Sequence, residues 1–547
     1  MGGAAFAVAG CGGGGSSSAS TASTQGLSLS VTPVVPPAPV VPPPPPPPVQ
    51  TLKGVTIDQA EADIRATVKS YADWFAKSRT FEPVVTVKDA DTLQAAINAI
   101  YKSPLGLEAL ARNHRIECAW NGSSMMAGGP LARITVGASQ METSFYDRGG
   151  SLVIAAAANC KPGIANTVFI ATRGVMLQGL GFTRKAQAGE TPAAVGAVII
   201  QTTAKFQPLK VIAQFNDCAF GTFDNIAANS PTEWVDGLKT AGGETEFVGF
   251  ARSSFCGLQT ALKLTSRNAV VNDCDFRQCL GDGIDLYGHV YAADYIANAV
   301  IEKTTFRNWG DTWESRDFHA DAVQTGAPSD IHKGYRVVMT DSVAHMVRRF
   351  GGSDGKGGGP QGFFNAATPN ADNQFVVRRC IFLVTATHGF AYYSPNATRP
   401  SFVDHCTFMR AGVIPSGFAP DKTLQDTLVV VSVVGAEPAG GPWLLVTDSI
   451  AKNGFKPTQA TTSIVECDPR SPLFAPEAQR PEKLFTGRDF GRANAAANNL
   501  SGKFGYSLPN EATSRSWFVA DVWANFQPTE AVGTAGAPDP RVMAWTN

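Results

Sequence analysis

Phe215-Asn-Asp-Cys-Ala-Phe220 is one copy of a six-residue phrase that returns along this chain. Working outward from it, the pattern recurs at Leu177-Gln-Gly-Leu-Gly-Phe182, Phe250-Ala-Arg-Ser-Ser-Phe255, Val271-Asn-Asp-Cys-Asp-Phe276 and Ile301-Glu-Lys-Thr-Thr-Phe306. It continues at Met339-Thr-Asp-Ser-Val-Ala344, Val377-Arg-Arg-Cys-Ile-Phe382, Val403-Asp-His-Cys-Thr-Phe408 and Val446-Thr-Asp-Ser-Ile-Ala451. Successive copies start 21 to 43 residues apart. A constant phrase between variable spacers marks a solenoid whose loops carry the insertions. Apolar first, small in the middle and aromatic last reads as one strand with alternating faces.

A second phrase follows the first in most coils. It stands at Asp236-Gly-Leu-Lys239, Thr260-Ala-Leu-Lys263, Asp282-Gly-Ile-Asp285, Asp321-Ala-Val-Gln324, Gln361-Gly-Phe-Phe364 and His388-Gly-Phe-Ala391. Two strands per coil, stacked in register, predict an all-β parallel β-helix. The apolar third position would stack inside, and the fourth would face out as a column Lys239, Lys263, Asp285, Gln324. A polar column of mixed charge on a long flat face suits an extended polymer.

Composition sets the outer bounds. The chain has 547 residues, 44% hydrophobic and 17% charged, with a formal net charge of −1. No basic run stands out, which argues against a nucleic-acid partner, and no apolar run is long enough to span a bilayer. The 54 glycines suit a fold built from many tight turns.

The chain divides by composition. Residues 1–11 end in Ala-Phe-Ala-Val-Ala-Gly-Cys11, which resembles the lipobox of bacterial lipoproteins, where cleavage leaves the cysteine as a lipidated N-terminus. In such lipoproteins a Gly after the cysteine implies sorting to the outer membrane. The expected localisation is therefore the cell envelope, with the membrane reached through the lipid anchor at Cys11 only. Residues 12–52, rich in Gly and Ser and then in Pro, read as a tether.

Residues 53–105 read as an N-terminal helical cap. Ile64, Val68, Tyr71 and Phe75 recur at helical spacing within Ile57–Lys77. After a short strand at Val84–Val87, Asp91-Thr-Leu-Gln94 opens a second helix, with Asp91 as its expected N-cap and Gln94 at N3. Residues 106–460 hold the coils. Residues 461–547 lose the phrase and read as an irregular C-terminal cap, packed by Trp517, Phe518, Val522 and Trp523.

Among the cysteines, Cys218, Cys274, Cys380 and Cys406 share one phrase position and read as an inward stack of small side chains. Cys118 and Cys160 are a candidate disulfide for an export compartment.

The two phrases, with the entry Thr92-Leu-Gln-Ala-Ala-Ile97, resemble the right-handed parallel β-helix superfamily of pectate lyases, alginate lyases and epimerases, polygalacturonases and phage tailspikes. The resemblance covers roughly Val84 to Ala451. It implies a single-stranded right-handed parallel β-helix whose entry helix plugs the open first coil. The chain lacks the Asp-Asp pair of the polygalacturonases and the Asp-Pro-His-Asp signature of the alginate epimerases.

Site residues follow from where insertions gather. The segments before Val323 and Phe363 are long, and they bring Trp309, Trp313, Arg316, His319, Arg348 and Lys356 towards Asp285 and Gln324. Trp313, Tyr287 and Tyr392 offer ring faces to sugars. Arg316, Arg348, Lys356 and Lys263 suit the carboxylate of a uronate, and Gln324 would help position the chain. His319 titrates near neutrality and is the expected base, with Tyr287 or Tyr392 as rivals. Asp285 and Asp321 are a candidate Ca2+ site. The expected activity is cleavage of an acidic polysaccharide by β-elimination, with His319, Arg316, Asp321 and Asp285 catalytic. The alternatives are an inverting glycoside hydrolase using Asp282, Asp285 and Asp321, and a non-catalytic glycan-binding protein.

Overall fold

The computed structural model describes residues 50–137, 144–201, 210–221, 233–240, 245–277, 279–287, 296–307, 321–326, 333–346, 361–365, 372–384, 389–392, 394, 396–410, 431–433, 441–447, 449–450, 460–461 and 464–465. Among them, three parallel sheets of 13, 12 and 10 strands run the length of the molecule. Every neighbour in a sheet belongs to the next coil. The fold is therefore a single-stranded right-handed parallel β-helix. We call the sheets 1, 2 and 3 in that order of size.

Each full coil has three strands, one per sheet, where the sequence led us to expect two. The difference lies inside the six-residue phrase. Val211–Asn216 ends in sheet 1 and Ala219–Gly221 begins in sheet 2, so Phe215–Phe220 spans a corner. The third position of the phrase takes the left-handed conformation in every described coil: Gly179, Asp217, Arg252, Asp273, Lys303, Asp341, Arg379 and His405, with φ between 48° and 68°. One left-handed residue turns the chain and breaks the strand's two-residue period. The first, fourth and sixth positions (Phe215, Cys218, Phe220) therefore all point inward and are buried.

Those inward positions form axial stacks. Phe182, Phe220, Phe255, Phe276 and Phe306 follow one another with ring centroids 4.7, 4.7, 4.5 and 4.8 Å apart, close to the spacing of hydrogen-bonded strands. After Leu180 in the first copy, the fourth position carries Cys, Ser or Thr for a polar reason as well as a steric one. Ser253 Oγ donates to Ala251 O at 3.1 Å and accepts the Cys218 N–H at 3.2 Å. Ser342 Oγ likewise accepts the Thr304 N–H, and Ser449 Oγ the Cys406 N–H. Small side chains with a polar tip satisfy amides that the corner takes out of the sheets.

Cys218, Cys274, Cys380 and Cys406 do stack inward in this column. Cys118 and Cys160 are not bonded to each other: both are free thiols. Cys118 ends its strand facing the core, where burial pushes its thiol up to about 12, while Cys160 lies beyond the strand Ser151–Ala156 of the next coil.

The two N-terminal helices do different work. Helix α2 (Ala90–Tyr101) is the plug, burying Ala90, Leu93 and Ile97 against the first coil. Its N-cap is Asp89, in a capping box with Thr92, rather than Asp91. Asp91 instead accepts the Ala127 N–H at 2.9 Å. Gln94 acts as a substitute strand: its Nε2 donates to Thr135 O at 3.2 Å and its Oε1 accepts the Thr135 N–H at 2.6 Å. Thr135 lies in Arg133–Val136, the terminal strand of sheet 3, whose outer edge would otherwise be open.

Helix α1 (Ile57–Ala76) caps no end. It lies lengthwise on the outer face of sheet 1, burying Ala60, Ile64, Val68 and Phe75 against Phe247, Val300, Val338, Val376 and Phe402. It runs against the direction of coil growth. Asp58 and Glu61 meet Arg378 at 2.7 and 2.8 Å, Asp63 pairs with Arg336, and Arg65 meets Glu302 at 2.8 Å. Tyr71 Oη then donates to Glu246, further back along the solenoid. The reason is a file of outward apolar residues on sheet 1, Val270, Val300, Val338, Val376, Phe402 and Leu445, in register on successive coils. That stripe needs a cover.

Two outcomes test this architecture. At Lys303 (φ 48°), Lys303→Gly should leave thermal stability unchanged or raised, while Lys303→Val should lower it by about 1–2 kcal/mol, since a β-branched residue resists the left-handed well. The reverse order in melting temperature would contradict the corner. Gln94→Leu strands both Thr135 edge groups and should cost about 1–2 kcal/mol, with faster amide exchange at Thr135 but not at distant coils.

Candidate functional site

Sheet 3 displays the second phrase as expected from its spacing. Lys239, Lys263, Asp285, Gln324 and Phe364 are register partners on successive strands. Within these strands the two-residue period holds, so Leu238, Leu262, Ile284, Val323 and Phe363 are buried in the core behind the column. The outer face thus grades from two cations through an acid to an amide and an aromatic ring. Lys239 and Lys263 are half-buried. Asp285 is only 8% exposed.

Beside this column runs a second one, at the strand entrances: Asp236, Thr260, Asp282, Asp321 and Gln361. Asp282 Oδ1 accepts the Asp321 N–H at 2.8 Å, and Asp236 Oδ1 accepts the Thr260 N–H at 3.3 Å. Each acid thereby holds the backbone entrance of the next coil. The side chains remain chemically informative because they are so enclosed. Asp236 and Asp321 are both 0% exposed. Burial pushes the Asp236 carboxyl up to about 6 against the pull of Lys263 and Lys239. Burial, then the negative charges of Asp321 and Asp285, push the Asp282 carboxyl well above the carboxylate range. Asp282 therefore holds a proton where an ordinary aspartate would not.

The structure places the other expected residues unevenly. Tyr287 follows Ile284–Leu286 directly and is half-buried beside the column. Tyr392 is a correction: it is 3% exposed, packs on Phe375 inside the coil, and has its hydroxyl pushed up to about 12 by burial. It stands two residues after the inward Phe390, so strand period alone puts it inside. Asp321 is a second correction, since full burial removes it from direct contact with a polymer on this face. His319, Arg316, Trp313, Arg348, Lys356 and Cys11 lie outside the described residues, as do almost all of residues 461–547.

Asp282, Asp285 and Asp321 do not by themselves make a Ca2+ site. One Asp282 oxygen is committed to an amide and Asp321 is sealed. Among the described residues no group of three or more His, Cys, Asp or Glu is arranged to hold a metal ion.

Two features had no clear signal in the sequence. On sheet 2, Arg277, Arg307 and the His345 position follow one another outward, with Arg307 bound to Asp275 at 2.8 and 2.6 Å. His345 is 4% exposed, and burial pulls it down to about 3, so it is a neutral imidazole. Their alternation is visible in the strands, but their burial is not. A groove of about 730 Å3 also opens on sheet 2 over the first coils, between Lys161, Lys185, Ser123 and Thr183 above a floor of Gly163 and Gly181. No residue of the sheet 3 column lines it.

No protein-family model matches the chain, and no curated protein sequence matches it. Among solved structures it is similar to the pectate lyase Bsp165PelA from Bacillus sp. N165 in complex with trigalacturonate, at 11% identity over 72% of this chain and 86% of that one, with a TM-score of 0.24. It is also similar to the PL6 family alginate lyase AlyGC, at 10% identity over 79% of this chain and 59% of that one, with a TM-score of 0.32. Both neighbours are polysaccharide lyases by name. At these values neither comparison assigns an activity or a residue to this chain.

The buried acid gives a pH test. A carboxyl whose native titration lies near 6, above its unfolded value near 4, binds more protons when native, so its contribution to stability falls as pH rises through that window. Asp236→Asn should therefore be more stable than wild type by about 3 kcal/mol at pH 7–8, with the gap closing by about pH 4. A gap that stays constant from pH 4 to 8 in thermal melts would contradict the assignment.

Proposed function

We propose that this chain is a carbohydrate-active β-helix protein of the cell envelope that cleaves an acidic, uronate-containing polysaccharide by β-elimination along the outer face of sheet 3. The observation that carries the reading is the pair Lys239 and Lys263, on adjacent rungs of an outward column, beside the half-buried Asp282 and the buried Asp236 and Asp285. Adjacent cations at strand spacing suit a polymer with repeated carboxylates. The acids beside them suit proton transfer.

The chemistry runs as follows in this reading. Arg316, Arg348 or Lys356 neutralises the uronate carboxylate, which makes the C5 proton acidic, while Lys263 positions the chain. His319, two residues ahead of Asp321 in the chain, removes that proton. The C5 electron pair forms the C4–C5 double bond, the C4–O bond breaks, and the departing oxygen takes a proton. Asp282, held protonated by burial and by its acidic neighbours, is the described group suited to supply it. Gln324, Tyr287 and Trp313 hold the sugar rings. A tether over residues 12–52 with a lipid on Cys11 would place the solenoid at the outer membrane.

The same acid row favours a second reading. A protonated Asp282 beside Asp285 has the residue types of an inverting glycoside hydrolase. The full-length protein, incubated with alginates, pectins, glucuronans and bacterial gums, separates the two. Ultraviolet absorbance from unsaturated uronate is the expected result, abolished in His319→Ala with polymer binding retained. Reducing ends without absorbance would replace elimination by hydrolysis, and full turnover in His319→Ala would remove the histidine from the mechanism.

A further inference from the structure

Asp236 stands two rungs before Asp282, outside the proton-transfer group assigned above. Its carboxyl is enclosed, with Oδ1 on the Thr260 amide at 3.3 Å and Oδ2 3.8 Å from Lys263 Nζ. Lys263 occupies the following rung and also acts on Asp282, on the rung after that. Its partner in the cationic pair is held from elsewhere: Lys239 Nζ donates to Ala194 O at 2.6 Å. Lys239 thus has a fixed acceptor behind it, and Lys263 a carboxylate at ion-pair distance.

We infer that Asp236 is a positioning residue: its buried carboxylate fixes the Lys263 ammonium ion on the outer column, so that Lys239 and Lys263 meet an anionic polymer as an oriented pair. This rests on the reading of sheet 3 as the substrate face. A lysine on a flexible four-carbon stem is a poor recognition element until something holds it. The charged groups facing Asp236 are Lys239 on its own strand and Lys263 on the next; Thr260 contributes its amide. The carboxyl changes charge near pH 6, so the hold on Lys263 is complete above that value and relaxes below it.

The test needs no substrate. Full-length protein is treated at pH 8 with an acetylating N-hydroxysuccinimide ester, which reacts only with neutral amines, and each lysine is followed by mass spectrometry. Removing the neighbouring carboxylate in Asp236→Asn releases the Lys263 side chain from its fixed position, so its acetylation should rise about three- to ten-fold. Lys161, exposed on another face, should not change. An unchanged Lys263 rate overturns the inference. Lys263→Gln gives an independent check, because Asp236 loses its cation: native stability should fall more steeply between pH 5 and 8 than in wild type. An identical slope again overturns it.

With a polymer that the enzyme cleaves, Asp236→Asn should raise KM about ten-fold and leave kcat within about two-fold, the mark of lost binding alone. A fall in kcat with unchanged KM would count against positioning. Absence of turnover on every polymer overturns the lyase reading instead, and leaves acetylation to decide the role of Asp236.

Discussion

Everything in this fold depends on one constraint: each coil must return to the same register as the one before it. Strands in parallel sheets share their hydrogen bonds with the coils on either side, so a coil that slipped by one residue would turn every side chain to the opposite face. The left-handed corner sets that register. Its backbone N–H bonds the neighbouring coil, as Lys303 N bonds Thr340 O at 3.1 Å and Arg379 N bonds Asp404 O at 3.0 Å. The small fourth residue then ties the corner to the next coil. Insertions elsewhere in a coil leave this joint untouched, and the spacing between copies of the phrase can vary widely as a result.

The corner also explains what was legible in the sequence and what was not. The solenoid was legible because the phrase records the joint directly. The strand count was not, since a left-handed position usually announces itself as Gly or Asn, whereas here Arg252, Lys303 and Arg379 occupy it. Alternating charge along that file compensates: Arg252 meets Asp217 at 2.7 and 2.9 Å, and Arg379 meets Asp341 at 2.6 and 2.8 Å. The amphipathic pattern of α1 was plain, but its resting place was not. Only the three-sheet register shows that Val300, Val338 and Val376 line up outward and require a cover.

The candidate site was legible to the same depth. Period-two parity inside sheet 3 was enough to place Lys239, Lys263, Asp285 and Gln324 on one face, and the same parity would have kept Tyr392 off it. Burial was out of reach. Whether Asp236 or Asp321 is open or enclosed depends on neighbours some 20 to 40 residues away in the chain, such as Thr260 and Lys263 for Asp236. A phrase read one coil at a time cannot report a contact made between coils.

The acid row is where local and global consistency part. Asp236 and Asp282 hold the amides of following strands, and Asn or Ser would hold them with less electrostatic cost. Instead, burial raises Asp236 to about 6, and burial with the charges of Asp321 and Asp285 raises Asp282 well above the carboxylate range. A solenoid of long sheets with five phenylalanine rings stacked from Phe182 to Phe306 can carry that cost because its stability is a sum over many coil interfaces. Residues that weaken their own fold while gaining an unusual protonation state mark function more often than structure. They also sit beside the two lysines best placed to receive a negative charge. The strain, the protons and the cations thus fall on the same three coils, and on this sheet rather than on sheet 1, which α1 has closed, or on the far groove of sheet 2.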